Sequence, residues 1–283
     1  SLVVGIAARY LKQFGIKLNT FSIGLEDSTD EKYARMVSEY CGTLHTHIIL
    51  KDEDFLDAIE TVIYTIETYD ITTIRASTGQ YLISKWISEN TDIKVLLIGD
   101  GSDELAAGYM YFHAAPNEIE SHNENCRLIN EIHLFDVLRA DRGIASNGLE
   151  ARVPFLSKDF VNYYLKIDPK MRWCKDENGN DRIEKWLIRT AFQSENIIPN
   201  EVLFRKKEAF SDGVSSMKKS WYQILQENID KVIGNHELEN NDYKICKPHT
   251  KEALYFRKIY DKYYNQIYLI DEFWLPKWCG QVL

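Results

Sequence analysis

Cysteine is scarce in this 283-residue sequence, and the five cysteines do not have the spacing of a zinc site or of a disulfide-rich domain. The absence of any CxxC pair argues against a zinc ribbon, and the scattered positions argue against a disulfide framework. A reducing, cytoplasmic setting fits this usage best. The five cysteines are Cys41, Cys126, Cys174, Cys246 and Cys279.

Long apolar runs and an excess of basic residues are missing as well. No run approaches the roughly 20 apolar residues that cross a bilayer, and the N-terminus lacks the layout of a signal peptide, so we expect no membrane partner. The net charge of -9 argues against a protein that binds nucleic acid mainly through phosphate contacts. With 45% hydrophobic residues, the chain is expected to be soluble and to bury a sizeable core.

Strand and helix patterns alternate through the first part of the chain. Apolar side chains at helical spacing predict a helix over residues 2–14, and the segments IKLNTFSI, LHTHIIL and KVLLI are predicted strands. Further helices are predicted after the capping-box pair Ser28 and Glu31, around Phe55–Ile66, and from about Ser77. This alternation predicts an α/β fold with a parallel sheet flanked by helices.

The strand signal fades after about residue 116. The sequence KDENGND at 175–181 carries turn residues. We therefore predict an α/β core over residues 1–116 and a mainly helical part over residues 117–283, with a soft boundary near Pro116. Helices are predicted in the second part over residues 127–140, 182–192 and 250–264, the first of them apolar around most of its circumference.

An acidic loop follows the third predicted strand. Ligands of parallel sheets gather outside the carboxyl ends of the strands, so GDGSDE at 99–104 and FSIGLEDSTD at 21–30 are candidate site loops. The acidic loop suits a helix N-terminus capped by Ser102. It equally suits Mg²⁺ bound between carboxylates and phosphates, because Gly99 and Gly101 let a ligand approach the backbone. Its position favours a functional site.

The stretch ETYDITTIRAST, residues 67–78, gathers polar groups in a predicted loop. Arg75 can form a bidentate pair with a carboxylate, and the hydroxyls of Thr72 and Thr73 can donate hydrogen bonds beside it. An ordinary helix-capping loop is the simpler interpretation of the same residues.

A basic loop, FRKKEAFSDG at 204–213, presents Arg205, Lys206 and Lys207. Such a cluster is usually a solvated face, but in an acidic protein it can instead neutralise phosphate oxygens. His45 and His47 are two apart on a predicted strand and could form half of a metal site. Because no third ligand is evident, we favour a structural role for these histidines.

Six motifs together resemble the synthetase domain of the glutamine-hydrolysing asparagine synthetases. In order they are FSIGLEDSTD, ETYDITTIRAST, LLIGDGSDELAAGY, ASNGLEARVPFL, FRKKEAFSDGV and TKEALYFRKIY, and the likeness covers nearly the whole chain. It implies a fold of the ATP-pyrophosphatase type, related to the adenine nucleotide α-hydrolases, with residues 1–116 as the nucleotide-binding core and residues 117–283 completing the synthetase site. It also implies that ATP adenylates the β-carboxylate of aspartate with loss of pyrophosphate, and that ammonia then displaces AMP to give asparagine. In the family a glutaminase domain makes the ammonia from glutamine, and a homodimer is possible.

The resemblance assigns nucleotide-binding roles motif by motif. It implies that Asp103 binds Mg²⁺ and that Lys207 stabilises the charge that builds up as pyrophosphate leaves. The implied adenine pocket is lined by Ile23, Gly24, Ile98 and Gly99.

The same resemblance assigns the aspartate and ammonia chemistry. Asp100 stands where the family usually has a glutamate that is proposed to take a proton from the attacking amine, and it is one methylene shorter. The loop linked to aspartate use is matched by Thr72, Thr73 and Arg75. Glu104 and Asp136 match acidic positions that organise the same pocket.

Two alternatives follow from departures in the motifs. The pyrophosphate loop of the family, SGGLDSS, would end at Ser1, so a chain that starts there is expected to be weakly active or to bind nucleotide without turnover. A β-lactam synthetase, which adenylates a carboxylate and closes a ring, is the nearest enzymatic alternative. Asp100 and the TTIR sequence favour asparagine synthesis.

Overall fold

The computed structural model describes residues 1–208, 213–215, 219–264 and 273–278. Cys279 and residues 209–212 of the basic loop lie outside these ranges. Four strands are described, β1 Asn19–Leu25, β2 Leu44–Leu50, β3 Val95–Leu97 and β4 Glu150–Arg152. The described helices are α1 Leu2–Lys12, α2 Thr29–Cys41, α3 Asp52–Ile66, α4 Ile71–Asn90, α5 Ser102–Leu105, α6 Glu118–Glu131, α7 Asp136–Ala145, α8 Lys158–Lys166, α9 Pro169–Arg172, α10 Trp186–Gln193, α11 Asn200–Leu203, α12 Trp221–Val232, α13 Asn235–Glu239 and α14 Lys251–Tyr264, with short 3₁₀ helices at Met110–Ala114, Ile132–Leu134 and Pro154–Leu156.

The strands form two small parallel sheets rather than the single sheet predicted. Strand β1 pairs with β2 from Asn19 opposite Leu44, and β3 pairs with β4 from Val95 opposite Glu150. A cavity of about 570 Å³ between β1 and β3 separates the two pairs, with side chains of α1 and α4 along it. The fold is therefore α/β, with helices flanking small parallel sheets.

Strand β4 was not predicted, because three residues are too few to show an alternating pattern. It lies in the segment GLEARVPFL at 148–156. Its parallel pairing with β3 places this segment beside the strand that precedes the acidic loop. The backbone N–H of Ile98 extends the pairing by donating to the carbonyl of Arg152 at 3.0 Å. This pairing crosses residue 116, and the division of the chain at that point stays a prediction.

The main core packs α3 against α4, α12 and α14. The predicted apolar stripe of α3 is confirmed, since its five side chains are each at most 1% exposed, namely Phe55, Ile59, Val62, Ile63 and Ile66. Each large apolar side chain buried in this way contributes roughly 1.5–3 kcal/mol to folding. Tyr260 of α14 lies in the same core, 4.9 Å from the ring of Tyr69. Within the described ranges, no helix combines the length and apolarity that a membrane crossing requires.

Helix α4 begins six residues earlier than the Ser77 start predicted from the sequence. Asp70 is its N-cap, and its carboxylate accepts from the backbone N–H of Thr73 at 2.7 Å. The hydroxyl of Ser77 instead donates to the carbonyl of Thr73 inside the helix. Thr72, Thr73 and Arg75 consequently lie in the first two turns of a helix, and the predicted loop at 67–78 is wrong.

Removing the cap of α4 should weaken the fold. Asp70→Ala is expected to lower the free energy of unfolding by about 1 kcal/mol, because one N-terminal N–H loses its acceptor. Asp70→Asn keeps an acceptor at the same place and is expected to cost much less. Urea denaturation of the three proteins measures the difference, and an equal loss in both variants would assign the effect to the buried charge rather than to the cap.

Ser28 is the N-cap of α2 by position, but the predicted capping box is wrong. Its side chain makes no capping hydrogen bond. The predicted end of α2 at Gly42 is observed, with the left-handed conformation, φ 68°, that glycine adopts at low cost.

The apolar stretch at 127–140 is two helices rather than one. Helix α6 ends at Glu131, a 3₁₀ turn follows, and Phe135 has the non-helical angles φ −131° and ψ −85°. This break places Asp136 in the first turn of α7, where it is buried. The predicted turn at 175–181 is confirmed by the bridge between Lys175 and Asp181.

Candidate active site

The acidic loop turns sharply at Gly101. Its φ is +84°, and a Cβ placed there would lie 2.3 Å from the Leu156 side chain, so only glycine fits without rearrangement. Ser102 is the first residue of α5 rather than its cap, which corrects the sequence-based expectation. Its hydroxyl instead accepts a hydrogen bond from the ammonium group of Lys185 at 3.0 Å.

Asp103 lies between two lysines. Its Oδ2 is 3.0 Å from Nζ of Lys185, and its Oδ1 is 3.4 Å from Nζ of Lys207. Burial alone would raise the pKa of Asp103, but the two ammonium groups outweigh it and lower that pKa. The structure thus brings together the predicted Asp103 and Lys207 and adds Lys185, which no sequence motif had indicated.

A cavity of about 290 Å³ opens beside this triad. The first turn of α1 lines it, together with Gly99 and Ser102 of the acidic loop. A helix N-terminus and several cations together favour a bound polyanion. The cationic side chains that line the cavity are Lys185, Arg189, Arg205, Lys206 and Lys207.

A second group of acids lies behind Asp103. The hydroxyl of Tyr109 donates to Oε1 of Glu104 and lies 3.5 Å from Oδ1 of Asp136. Burial and the neighbouring carboxylate raise the pKa of Glu104 above its ordinary value. Arg139 forms an ion pair with Asp136, and Lys207 lies 5.9 Å from the centre of the Tyr109 ring. The predicted acids therefore adjoin the predicted lysine.

Asp100 is held at the end of β3 by α4. Its Oδ2 accepts a hydrogen bond from Nε2 of Gln80 at 2.8 Å. Burial raises the pKa of Asp100, while the charge of Arg139 and the bond from Gln80 oppose that rise. A half-buried carboxylate with a raised pKa at a strand end is suited to accept a proton during a reaction.

Arg75 has an internal partner. Its Nε donates to Oε1 of Glu252 at 2.7 Å, a second guanidinium nitrogen pairs with Oε2, and the guanidinium lies 4.4 Å from the centre of the Tyr222 ring. Glu252 is 2% exposed and also accepts from Gln226 at 2.6 Å. The bidentate pairing expected from the sequence therefore occurs with a carboxylate of the protein, and a contact with aspartate stays a prediction.

This pairing predicts a loss of stability on removal of the acid. Glu252→Ala is expected to lower the free energy of unfolding by about 2–3 kcal/mol, because it leaves Arg75 and Gln226 without their buried acceptor. The matched control is Glu89→Ala on the exposed pair of Lys85 and Glu89 in α4, which should cost less than about 0.5 kcal/mol. Urea denaturation compares the two, and equal small losses would show that the Arg75 pair is not structural.

The four residues predicted for an adenine pocket do not line one cavity. Ile23 lines a cavity of about 250 Å³ with Thr20, Ser22 and His45. Gly99 lines the cationic cavity, Ile98 lines the space between the sheets, and Gly24 packs against Ser28. The 250 Å³ cavity and the cationic cavity share Arg205, so they are neighbours.

The histidines have the structural role favoured from the sequence. The hydroxyl of Ser22 lies 3.0 Å from Nε2 of His45 and 2.7 Å from Nδ1 of His47, and Thr20 lies 3.1 Å from the other nitrogen of His45. Burial lowers the pKa of both rings. Among the residues that the structure describes, no three histidine, cysteine or acidic side chains are grouped closely enough to hold a metal ion.

Asp103 could contribute one ligand to a divalent cation. Its Oδ1 is buried and accepts no hydrogen bond within the described part of the chain. Mg²⁺ commonly takes one or two carboxylates and completes its shell with water and phosphate oxygens. The site therefore fits a cation that arrives with a phosphate ligand, and it does not fit a metal held by protein side chains alone.

Comparison with known proteins gives a consistent result along the chain. The chain is 46% identical over 283 residues to the glutamine-hydrolyzing asparagine synthetase of Gallus gallus, and 45% identical to that of Homo sapiens. Each alignment covers 98% of this chain and 50% of the relative, so the chain spans about half the length of these proteins. The family model for asparagine synthase matches residues 1–128 and 117–269. The chain belongs to the asparagine synthase family.

Proposed function

We propose that this chain is the synthetase part of a glutamine-hydrolysing asparagine synthetase. It makes asparagine from aspartate, ATP and ammonia through a β-aspartyl-AMP intermediate, and it releases AMP and pyrophosphate. The observation that carries the proposal is the cationic cavity beside Asp103, where Lys185 and Lys207 converge within 3.4 Å of one carboxylate. The names of the relatives support the same activity.

The phosphates of ATP bind in the cationic cavity under this proposal. Lys185 and Lys207 leave Asp103 for phosphate oxygens, and their charge stabilises the leaving pyrophosphate in the transition state. Asp103 would be a ligand of Mg²⁺, and the ion would supply further neutralisation of the phosphate charge. The neighbouring cavity at Ile23 receives the adenine ring, which is supported by the contact of both cavities with Arg205. An ATP-pyrophosphatase fold is part of the proposal.

Aspartate and ammonia react on the other side of Asp103. Asp100 takes a proton from the attacking amine, and its hydrogen bond with Gln80 and its raised pKa support that role. Glu104, Tyr109 and Asp136 form a hydrogen-bonded group behind it that fixes the shape of the acidic side. The aspartate substrate is recognised near the start of α4, by Thr72, Thr73 and Arg75.

The ammonia comes from glutamine through a glutaminase domain. Two observations support this: the relatives are named as glutamine-hydrolyzing enzymes, and they are about twice as long as this chain. A cytoplasmic location is also proposed, and within the described residues Cys41, Cys126 and Cys174 form no disulfide, which a reducing compartment would favour. The homodimer implied by the resemblance stays a prediction.

Pyrophosphate release by the full-length protein tests the proposed function. With ATP, Mg²⁺, aspartate and ammonia, we expect pyrophosphate and asparagine in equal amounts. Glutamate and β-alanine-type carboxylic acids, supplied in place of aspartate, should give neither product. Pyrophosphate with a carboxylic acid other than aspartate would indicate a β-lactam synthetase-like enzyme. ATP binding without pyrophosphate would indicate a non-catalytic nucleotide-binding protein.

A further inference from the structure

The basic loop that carries Lys207 is fastened to the first turn of α2. Nη1 of Arg205 lies 2.8 Å from Oδ1 of Asp30, and its guanidinium lies 4.0 Å from the centre of the Tyr33 ring. The Arg205 side chain is 19% exposed, so this ion pair is largely shielded from water. Asp30 is the last residue of the motif FSIGLEDSTD. None of the proposed catalytic steps uses its side chain.

The residue after Lys207 is attached to the same turn. Oε1 of Glu208 accepts a hydrogen bond from the hydroxyl of Thr29 at 3.1 Å, and its other oxygen pairs with Arg205. Both sides of Lys207 in the sequence are therefore joined to the first turn of α2.

The far end of the loop returns to the same carboxylate. A Cβ placed at Gly213 would lie 2.2 Å from Oδ2 of Asp30, so the backbone there packs directly against the acid. The next carbonyl, that of Val214, accepts from the N–H of Leu25 in β1 at 2.8 Å. Asp30 thus contacts the loop on both sides, through an ion pair at one end and through packing at the other.

Between these two anchors, Lys207 reaches across the cavity to Asp103 at 3.4 Å. A lysine side chain has four rotatable bonds and a compact charge, so its placement depends on the backbone that carries it. A displacement of about 1 Å at a reacting group can cost about 100-fold in rate.

We infer that Asp30 is a positioning residue for Lys207, because it fixes both ends of the basic loop and thereby the place of the lysine ammonium at the phosphate side of the cavity. The effect on catalysis rests on the proposed function, whereas the effect on the loop does not.

The first test measures steady-state pyrophosphate release in the full-length protein. Asp30→Asn preserves the size of the side chain and removes its charge. We expect kcat to fall about 30- to 100-fold with KM for ATP changed less than about threefold, because a displaced Lys207 acts mainly on the transition state. The matched control is Glu201→Gln, which removes the exposed pair between Lys32 of α2 and α11, 3.6 Å long, and should change neither constant.

A double-mutant cycle separates positioning from a general loss of structure. Arg205→Met and Asp30→Asn remove the two halves of one ion pair, so the double variant should be no slower than the slower single variant. Additive losses in kcat would mean that the two residues act independently and would overturn the inference.

Amide hydrogen exchange gives a readout that does not require turnover. We expect two hydrogen-bonded amides at the ends of the loop to exchange at least about tenfold faster in Asp30→Asn than in the wild type, with no change in Glu201→Gln. They are the N–H of Arg205, which donates to Val202, and the N–H of Leu25, which donates to Val214. Unchanged exchange in Asp30→Asn would overturn the inference, even if the wild type releases no pyrophosphate. A wild type without pyrophosphate release would instead overturn the proposed function, so the two failures are distinguishable.

Discussion

Lys207→Ala is expected to lower the rate of pyrophosphate release by about 100- to 1000-fold, the effect of removing one preorganised donor from a developing charge. The ammonium group lies 3.4 Å from Asp103 at the cavity of about 290 Å³, where a fixed cation acts more strongly than in bulk water. The fold should survive, because Asp103 keeps Lys185 at 3.0 Å. We therefore expect a loss in kcat and a change of less than about 1 kcal/mol in the free energy of unfolding.

The control for Lys207→Ala is Lys94→Ala, an exposed lysine directly before β3. It removes the same charge from the protein as a whole, so a general electrostatic effect would appear in both variants. A normal rate in Lys207→Ala, with the control also normal, would remove this lysine from the proposed mechanism.

Asp100→Ala is expected to reduce asparagine formation by about 100- to 1000-fold, within the range for loss of a general base. Asp100→Glu restores the residue that the family usually has and should retain most of the activity. Because the proton is taken only when ammonia attacks, release of pyrophosphate in a single turnover with aspartate should be affected much less than asparagine formation. Equal rates for the alanine and glutamate variants would show that this carboxylate has no catalytic duty.

The raised pKa of Asp100 predicts how both activity and stability change with pH. A base works only when ionised, so asparagine formation should increase with pH up to the folded-state pKa of this group. The folded protein binds the proton more tightly than the unfolded chain, whose value is near 3.8, so ionisation of Asp100 destabilises the fold as the pH rises through that window. Asp100→Asn should therefore be more stable than the wild type at neutral pH, which thermal unfolding at two pH values would check.

Local patterns in the sequence were sufficient for much of the first half of the fold. The stripes of α1, α2 and α3 are properties of neighbouring residues, and these helices lie close to where they were predicted. Strand β2 coincides with the predicted segment, whereas β1 begins three residues later than predicted. The start of α4 was wrong because Ser77 and Gln80 imitate a capping box, whereas the carboxylate of Asp70 provides the cap.

The site was only partly predictable for a different reason. Motifs identified Asp103 and Lys207, but Lys185 reaches Ser102 across 83 residues of sequence. Asp30 and Arg205 are 175 residues apart. Pairings of this kind depend on the way in which helices pack, and a single sequence carries no local signal for them. The role of Arg75 shows the same limit, since its partner Glu252 lies on α14.

The neutralisation of Asp103 by lysines from much later in the chain has a consequence for biosynthesis. A ribosome releases the acidic loop well before it releases Lys185 or Lys207, and desolvating a lone carboxylate would cost several kcal/mol. The nascent chain must therefore keep this loop hydrated until its cations have emerged. Completion of the candidate site is consequently a late, long-range event, of the type that slows folding when contacts join distant parts of a polypeptide.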